Sequence, residues 1–379
     1  GVNLSVDRAV FSEEVERAVA AQAGIRVCRE RLDSVPGDGV WVVATGPLTA
    51  QALAADLGRR LGAEHLYFFD AIAPIVTAES LDYGRCFAAS RWGRGGADYL
   101  NCPMDKAGYE AFIAALLGAE KHEAHAFEQG KFFEGCLPIE EIARRGPDTL
   151  RFGPMKPTGL IDPRTGKRPW ACVQLRRENA AGSLYNLVGF QTHLRWGGQE
   201  KLLKMIPALE NAEFVRFGSL HRNTYVNAPA HLEGGVRLKS EPRIFMAGQI
   251  TGVEGYTESA ASGLLAGINA VRCQQGLDLT VPPRNSMMGS LAHYLTASDP
   301  RHFQPINAMW GLVESLEENP ASKKKIPKYQ RYLAYRERGM GDFEAWAGTL
   351  GFALGDAGAL DIQAAAAAQE AELRKATLR

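Results

Sequence analysis

An α/β fold, a doubly wound sheet interrupted by an α+β insertion, is the architecture this sequence predicts, and three observations predict it. The apolar, β-branched run at residues 39–46 closes on Gly46 and is followed by Leu53, Leu57 and Leu61, four apart on one helical face. The same succession of strand, glycine turn and helix returns at residues 243–248 and 257–275. Between the two, residues 99–240 alternate helical stretches with Gly/Pro-rich turns and short strand-like runs, the texture of a separate insertion domain.

In chain order, the first helix is expected from Ser12, a capping residue followed by Glu13 and Glu14, to about Gln22, with Val15 and Val19 at helical spacing. The strand, tight turn and helix of residues 39–61 come next. A second apolar run, Leu66 to Phe69 and on through Ile72 to Val76, resumes the strand pattern, so residues 1–98 read as the first part of the sheet domain. Within the insertion, residues 106–117 and 199–203 read as helices and residues 171–175 as a strand. The sheet domain resumes over residues 241–333. Residues 334–379 form a helical tail whose end, 363–379, is rich in Ala and Glu and of high helix propensity.

A chain of 379 residues exceeds the usual single-domain size, in keeping with an interrupted domain. No apolar run approaches the roughly 20 residues a membrane helix needs, and residues 1–8 have neither the basic start nor the apolar stretch of a signal peptide. The expected address is the cytoplasm. No two of the six cysteines are close enough for a CxxC zinc or redox motif, so they read as reduced thiols. Formal charge balances at 43 against 43, yet residues 131–222 hold 15 Lys and Arg against 9 Asp and Glu, an excess that suits a polyanion-binding face and equally a solvated surface.

Four stretches carry candidate chemistry. Residues 247–263 run from a strand through a turn containing Gly248, Gln249, Ile250, Thr251, Gly252, Gly255 and Tyr256 into a helix. The N–H groups and positive dipole end of such a helix suit a phosphate or an electron-rich ring, although a tight crossover turn without ligand has the same composition. Small residues, Gly263 and Gly267 among them, leave the helix slender enough for close packing. Thr45 and Gly46 end the earlier strand as a companion feature. Cys136 precedes Leu137, Pro138 and a probable helix, a placement that favours the thiolate, the form that attacks an electrophilic carbon; a buried turn cysteine has the same sequence surroundings.

Lys156, Arg164, Lys167 and Arg168 lie on proline-stiffened loops fit to hold phosphates or to be solvated. Residues 185–194 mix aromatic, amide and imidazole groups able to stack on a base, or to make a core strand with a polar end. His122 and His125 lack an obvious third partner, so no metal site is expected.

Taken in order, FFEGCLP, FGPMKPTGLIDPRTGKRPWACVQLRREN, LYNLVGFQTHLRWGGQ, EFVRFGSLHRNTYVNAP and IFMAGQITGVEGYTESAASGLLAGINA resemble the folate- and flavin-dependent tRNA uracil-5 methyltransferases called TrmFO, over about residues 6–333. The related GidA flavoproteins share the last pattern but lack the FFEGCLP and FGPMKP blocks. The resemblance implies a FAD-binding Rossmann-like domain interrupted by an insertion domain. It implies methylation of the T-loop uridine U54 of tRNA, with methylenetetrahydrofolate as one-carbon donor and FAD, reduced by NADH or NADPH, as hydride source. Cys136 takes the place of the family cysteine that works on the uracil, residues 248–256 would border the flavin, and Lys156, Arg164, Lys167 and Arg168 are candidate contacts for the tRNA T-arm. No membrane or DNA partner is implied. The family's opening GxGxxG loop and Cys-Ser-Asn-Ser stretch are not in this sequence, so the expected flavin domain is incomplete and the chain is expected to be a fragment. A non-catalytic tRNA-binding remnant and a GidA-like enzyme modifying the wobble uridine are the alternative readings.

Overall fold

The computed structural model describes residues 6–62, 66–93, 97, 99–120, 131–132, 137–179, 181–316 and 328–352. The chain opens with α1 (Arg8–Ala20), β1 (Trp41–Val43), α2 (Gln51–Leu61), β2 (Leu66–Ile72), β3 (Ile75–Thr77), β4 (Phe87–Ala88), β5 (Tyr99–Met104) and α3 (Lys106–Gly118). It continues through β6 (Lys131–Phe132), α4 (Ile139–Arg144), α5 (Thr149–Phe152), β7 (Ala171–Arg177), β8 (Leu184–Leu187), α6 (Trp196–Leu203), β9 (Phe214–Arg216) and β10 (Ser219–Tyr225). The last stretch holds α7 (Ala228–His231), β11 (Leu232–Glu233), β12 (Arg237–Leu238), β13 (Ile244–Met246), α8 (Tyr256–Gln274), α9 (Met287–Ala297) and α10 (Lys328–Thr349). No helix among the described residues is long and apolar enough to cross a membrane.

Two compact units divide the chain, one of residues 1–30 and 68–222, the other of residues 31–67 and 223–379. The second unit is built on a four-stranded sheet in the order β1, β13, β12, β11, in which β1 and β13 run parallel and the other neighbours antiparallel. Ile244, Phe245 and Met246 are fully buried, the continuous apolar run expected of a strand covered on both faces. Leu53 and Leu57 of α2 and Leu265 and Ala266 of α8 are buried too, so the helical spacing read from the sequence is the packing spacing.

The other unit centres on a six-stranded antiparallel sheet, β4-β5-β7-β8-β3-β9, and a core that includes Phe112, Leu116, Ile139, Leu150, Val173, Leu187 and Phe190. The apolar run expected to stay in the first domain through Val76 instead turns away: β3 pairs with β8 and β9 in this antiparallel sheet, and the unit boundary falls after Tyr67 rather than near Tyr99. A partner strand more than a hundred residues away decides this. A small third sheet, β10-β2-β6, has β2 and β6 parallel.

The first helix starts earlier than expected. Asp7 caps it, its carboxylate accepting from the N–H groups of Ala9 and Val10, and none of its side chains is buried. Residues 363–379 and the Cys136 segment lie outside the described residues.

Candidate functional site

Parallel pairing of β1 with β13 brings two distant sequence motifs together. Val43 stands opposite Met246, and the Ala247 N–H donates to the Val43 carbonyl at 3.0 Å, so the turns that follow both strands leave the sheet side by side. The outer ends of parallel strands are where open α/β sheets seat ligands, because the strands diverge there and helix N-termini face the gap. Thr45 and Gly46 leave β1, with the Thr45 and Thr49 hydroxyls 2.7 Å apart and the Thr49 hydroxyl donating to the Gly46 carbonyl. Gly248 leaves β13.

Two glycines shape the second turn. Gly248 and Gly255 hold φ at 73° and 101°, conformations an L side chain resists, and a Cβ on Gly255 would stand 2.2 Å from the Glu258 carboxylate. The Gly248 N–H donates to Ser262 Oγ and the Thr251 hydroxyl donates back to the Gly248 carbonyl, so the turn is braced from within. Ile250 and Thr251 are fully buried and contribute backbone and bracing, whereas Gln249 is half-buried and Tyr256 is 84% exposed. No side chain caps α8, a 19-residue helix that carries Glu258 in its first turn. Gly263 and Gly267 were expected at a close-packed face; nothing stands within 4 Å of a Cβ built on either, so that side of α8 is open.

This arrangement fits the pyrophosphate or ring edge of a dinucleotide: small residues at both strand ends, a helix start without a side-chain cap, and an exposed tyrosine at its first position. No cluster of His, Cys, Asp and Glu able to hold a metal occurs among the described residues.

In the other unit Cys136 itself lies outside the described residues, which resume at Leu137. Ile139 N–H donates to the Gln191 carbonyl at 2.8 Å, tying the start of α4 to the strand-like segment 191–194. Glu140, 1% exposed, accepts from the Thr192 hydroxyl at 3.0 Å and from the His193 N–H at 2.9 Å, and pairs with the His193 ring. Burial pushes the Glu140 carboxyl up, but the hydrogen bonds from the His193 ring and backbone outweigh it and hold the group below the usual glutamate value. Nothing in the sequence paired Glu140 with His193; the only local signal was a glutamate in the first turn after Pro138.

A second unforeseen brace joins α6 to the loop before β10. Buried Gln199 donates through Nε2 to the Leu194 and Gly218 carbonyls and accepts from the Gly218 N–H. A Cβ on Gly218 would stand 2.6 Å from Thr192 Cγ2, so only glycine fits this approach.

Tyr185 and Phe190, candidates for base stacking, are buried core residues, which leaves them unable to meet a base. Lys156, Lys167 and Arg168 are exposed on their loops. Arg164 is committed elsewhere: its guanidinium donates to both Asp162 carboxylate oxygens and to the Gly84 carbonyl. The buried thiols Cys86, Cys102 and Cys172 are pushed up by burial, Cys172 to about 12, and so are poor nucleophiles.

Residues 1–278 match the family described as Glucose inhibited division protein A. The methylenetetrahydrofolate–tRNA-(uracil-5-)-methyltransferase TrmFO of Moorella thermoacetica is 56% identical over 338 residues, which cover 89% of this chain and 76% of that protein. The TrmFO of Desulforudis audaxviator is 51% identical, over 91% of this chain and 78% of that protein. Among solved structures, Aquifex aeolicus GidA in its form I crystal superposes with a TM-score of 0.58 at 16% identity, over 79% of this chain and 57% of that one, a likeness of fold.

Proposed function

This chain belongs to the TrmFO family, and from that membership we propose that it methylates uracil C5 in tRNA, taking the one-carbon unit from methylenetetrahydrofolate. The observation that carries the reading is the identity above 50% with TrmFO proteins across about nine-tenths of the chain. We assign the T-loop uridine as the target and NADH or NADPH as the source of reducing equivalents.

Thr45, Gly46, Gly248, Gln249, Gly252, Gly255 and Tyr256 would hold FAD, the paired strand ends giving it room and the α8 N-terminus offering N–H donors to its anionic groups. Bound and reduced, FAD supplies the hydride that completes the methyl group. Cys136 acts on the pyrimidine: its thiolate adds to C6, which makes C5 nucleophilic toward the one-carbon unit, and it leaves when the C5 proton is lost. Glu140 and His193 fix the Gln191–Leu194 segment against α4, which begins three residues after Cys136. Lys156, Lys167 and Arg168 give the tRNA backbone exposed cations.

Mass spectrometry of nucleosides from an unmodified tRNA transcript, incubated with the chain, FAD, NADPH and methylenetetrahydrofolate, tests the reading. We expect 5-methyluridine with the wild type and none with Cys136→Ala; 5-methyluridine formed equally by both would remove Cys136 from the chemistry, and a wild type that binds FAD and tRNA yet forms none would overturn the reading.

A further inference from the structure

Three rings in the first unit form a near-parallel ladder at the surface. Phe214 and Phe217 stand 5.2 Å apart between centroids and Phe217 and Trp196 6.0 Å, with both pairs tilted by only 18°. Trp196, at the first position of α6, is 62% exposed and ends the ladder. Phe214 and Phe217 also line an open cavity of about 450 Å³ together with Asn211, Glu213 and the ion-paired Lys204 and Glu200.

Holding α6 in place does not explain the ladder. The Gln199 bonds to Gly218 already lock that helix to the Phe217 loop from the buried side. An exposed tryptophan on a surface so braced is a rigid π-face, and its ordering cost is met by the fold before any ligand arrives. Exposed cations stand beside it in the chain, Lys201 within α6 and Arg195 next to Trp196, the latter loosely paired with the exposed Glu120 at 3.4 Å, as single-stranded RNA sites combine charge with stacking platforms.

We propose that the Trp196–Phe217–Phe214 ladder is a stacking platform for an unstacked nucleobase of the tRNA loop. The proposal rests on the tRNA methylation reading, which itself requires a loop base to leave its stack before a thiolate can reach C6. Neighbouring loop bases lose their stacking partner at that moment, and a flat ring added to the exposed end of the ladder replaces it.

Fluorescence anisotropy separates the outcomes, using the full chain, a labelled T-arm hairpin and a blunt RNA duplex of the same stem. Trp196→Ala, at an exposed position, should weaken hairpin binding by about tenfold or more while leaving duplex binding within about twofold. Trp196→Phe should restore most of the loss, because a π-face and not an indole N–H is required. Unchanged hairpin affinity in Trp196→Ala overturns the proposal, as does equal loss for hairpin and duplex, which would mark a structural role. A loss confined to methylenetetrahydrofolate binding would reassign the platform to the folate ring. Failure of the methylation reading shows separately, as a wild type that binds the hairpin and yet forms no 5-methyluridine.

Discussion

Glu140 holds a charge where solvent barely reaches it, and the cost is offset by three donors from the same short segment. Its carboxyl titrates below the ordinary glutamate value, so its contribution to stability is present above about pH 4.5 and is lost as the pH falls through the depressed folded value. Replacing it by glutamine removes the charge but keeps the size. We expect Glu140→Gln to unfold at lower urea at pH 7, by about 1–3 kcal/mol, and the gap from the wild type to narrow as the pH falls below 4.5. A gap that is constant with pH would show that the charge is not what stabilises the segment. At this scale the sequence was a partial guide. Gly248 and Gly255 were legible because a strand feeding a helix through a tight turn needs left-handed backbone, whereas the pairing of Glu140 with His193 joins residues 53 apart and leaves no local trace.

Among the elements, α2 is held at its end by one guanidinium. Arg60 donates to Asp56 on its own helix, to both oxygens of Glu241 just before β13 and to the Val35 carbonyl before β1, so a single side chain sets the approach to both paired strands. Asp56, 8% exposed at its side chain, is held below the usual aspartate value: burial opposes ionisation, but the Val35 N–H and Arg60 prevail. Arg60→Met leaves that carboxylate with only the Val35 N–H and the more exposed Arg59, and we expect a loss of about 2–3 kcal/mol in thermal unfolding, part of it recovered in the double variant Arg60→Met with Asp56→Asn. The helix itself was readable from leucines four apart, and β1, β13 and α8 from their apolar runs and closing glycines. The strands β2 and β3 read correctly as strands, but their sheets did not follow, because an apolar run states that it will be buried and not against what. The cap of α1 was misplaced for the opposite reason: Ser12 has the right chemistry, and Asp7, with the same chemistry, stands earlier in the chain.

Over the whole molecule, charges cancel, and any attraction to a polyanion has to come from their arrangement. The excess of 15 cations over 9 anions in residues 131–222 includes the exposed Lys156, Lys167 and Arg168. If each neutralises one phosphate, the triple alanine variant should lower the salt dependence of tRNA binding, the slope of log Kd against log salt concentration, by about 2 to 3. Arg164→Ala should leave the slope nearly unchanged, since that guanidinium serves Asp162 and Gly84. Titration of binding from 50 to 200 mM salt by filter retention or anisotropy distinguishes the two.

The parallel pairing of β1 with β13 also sets an order of events for the chain. Trp41 cannot find Ile244 until some two hundred intervening residues have left the ribosome, and closing so long a loop as free coil is slow and entropically costly. Residues 68–222 contain all six strands of their own antiparallel sheet, and once folded they shorten the loop to the distance between their own ends. The inserted unit is thus a folding intermediary as well as the surface proposed to face RNA: until it has collapsed, the two glycine turns proposed to hold the cofactor stay apart, and the exposed edge of β1 waits without a partner.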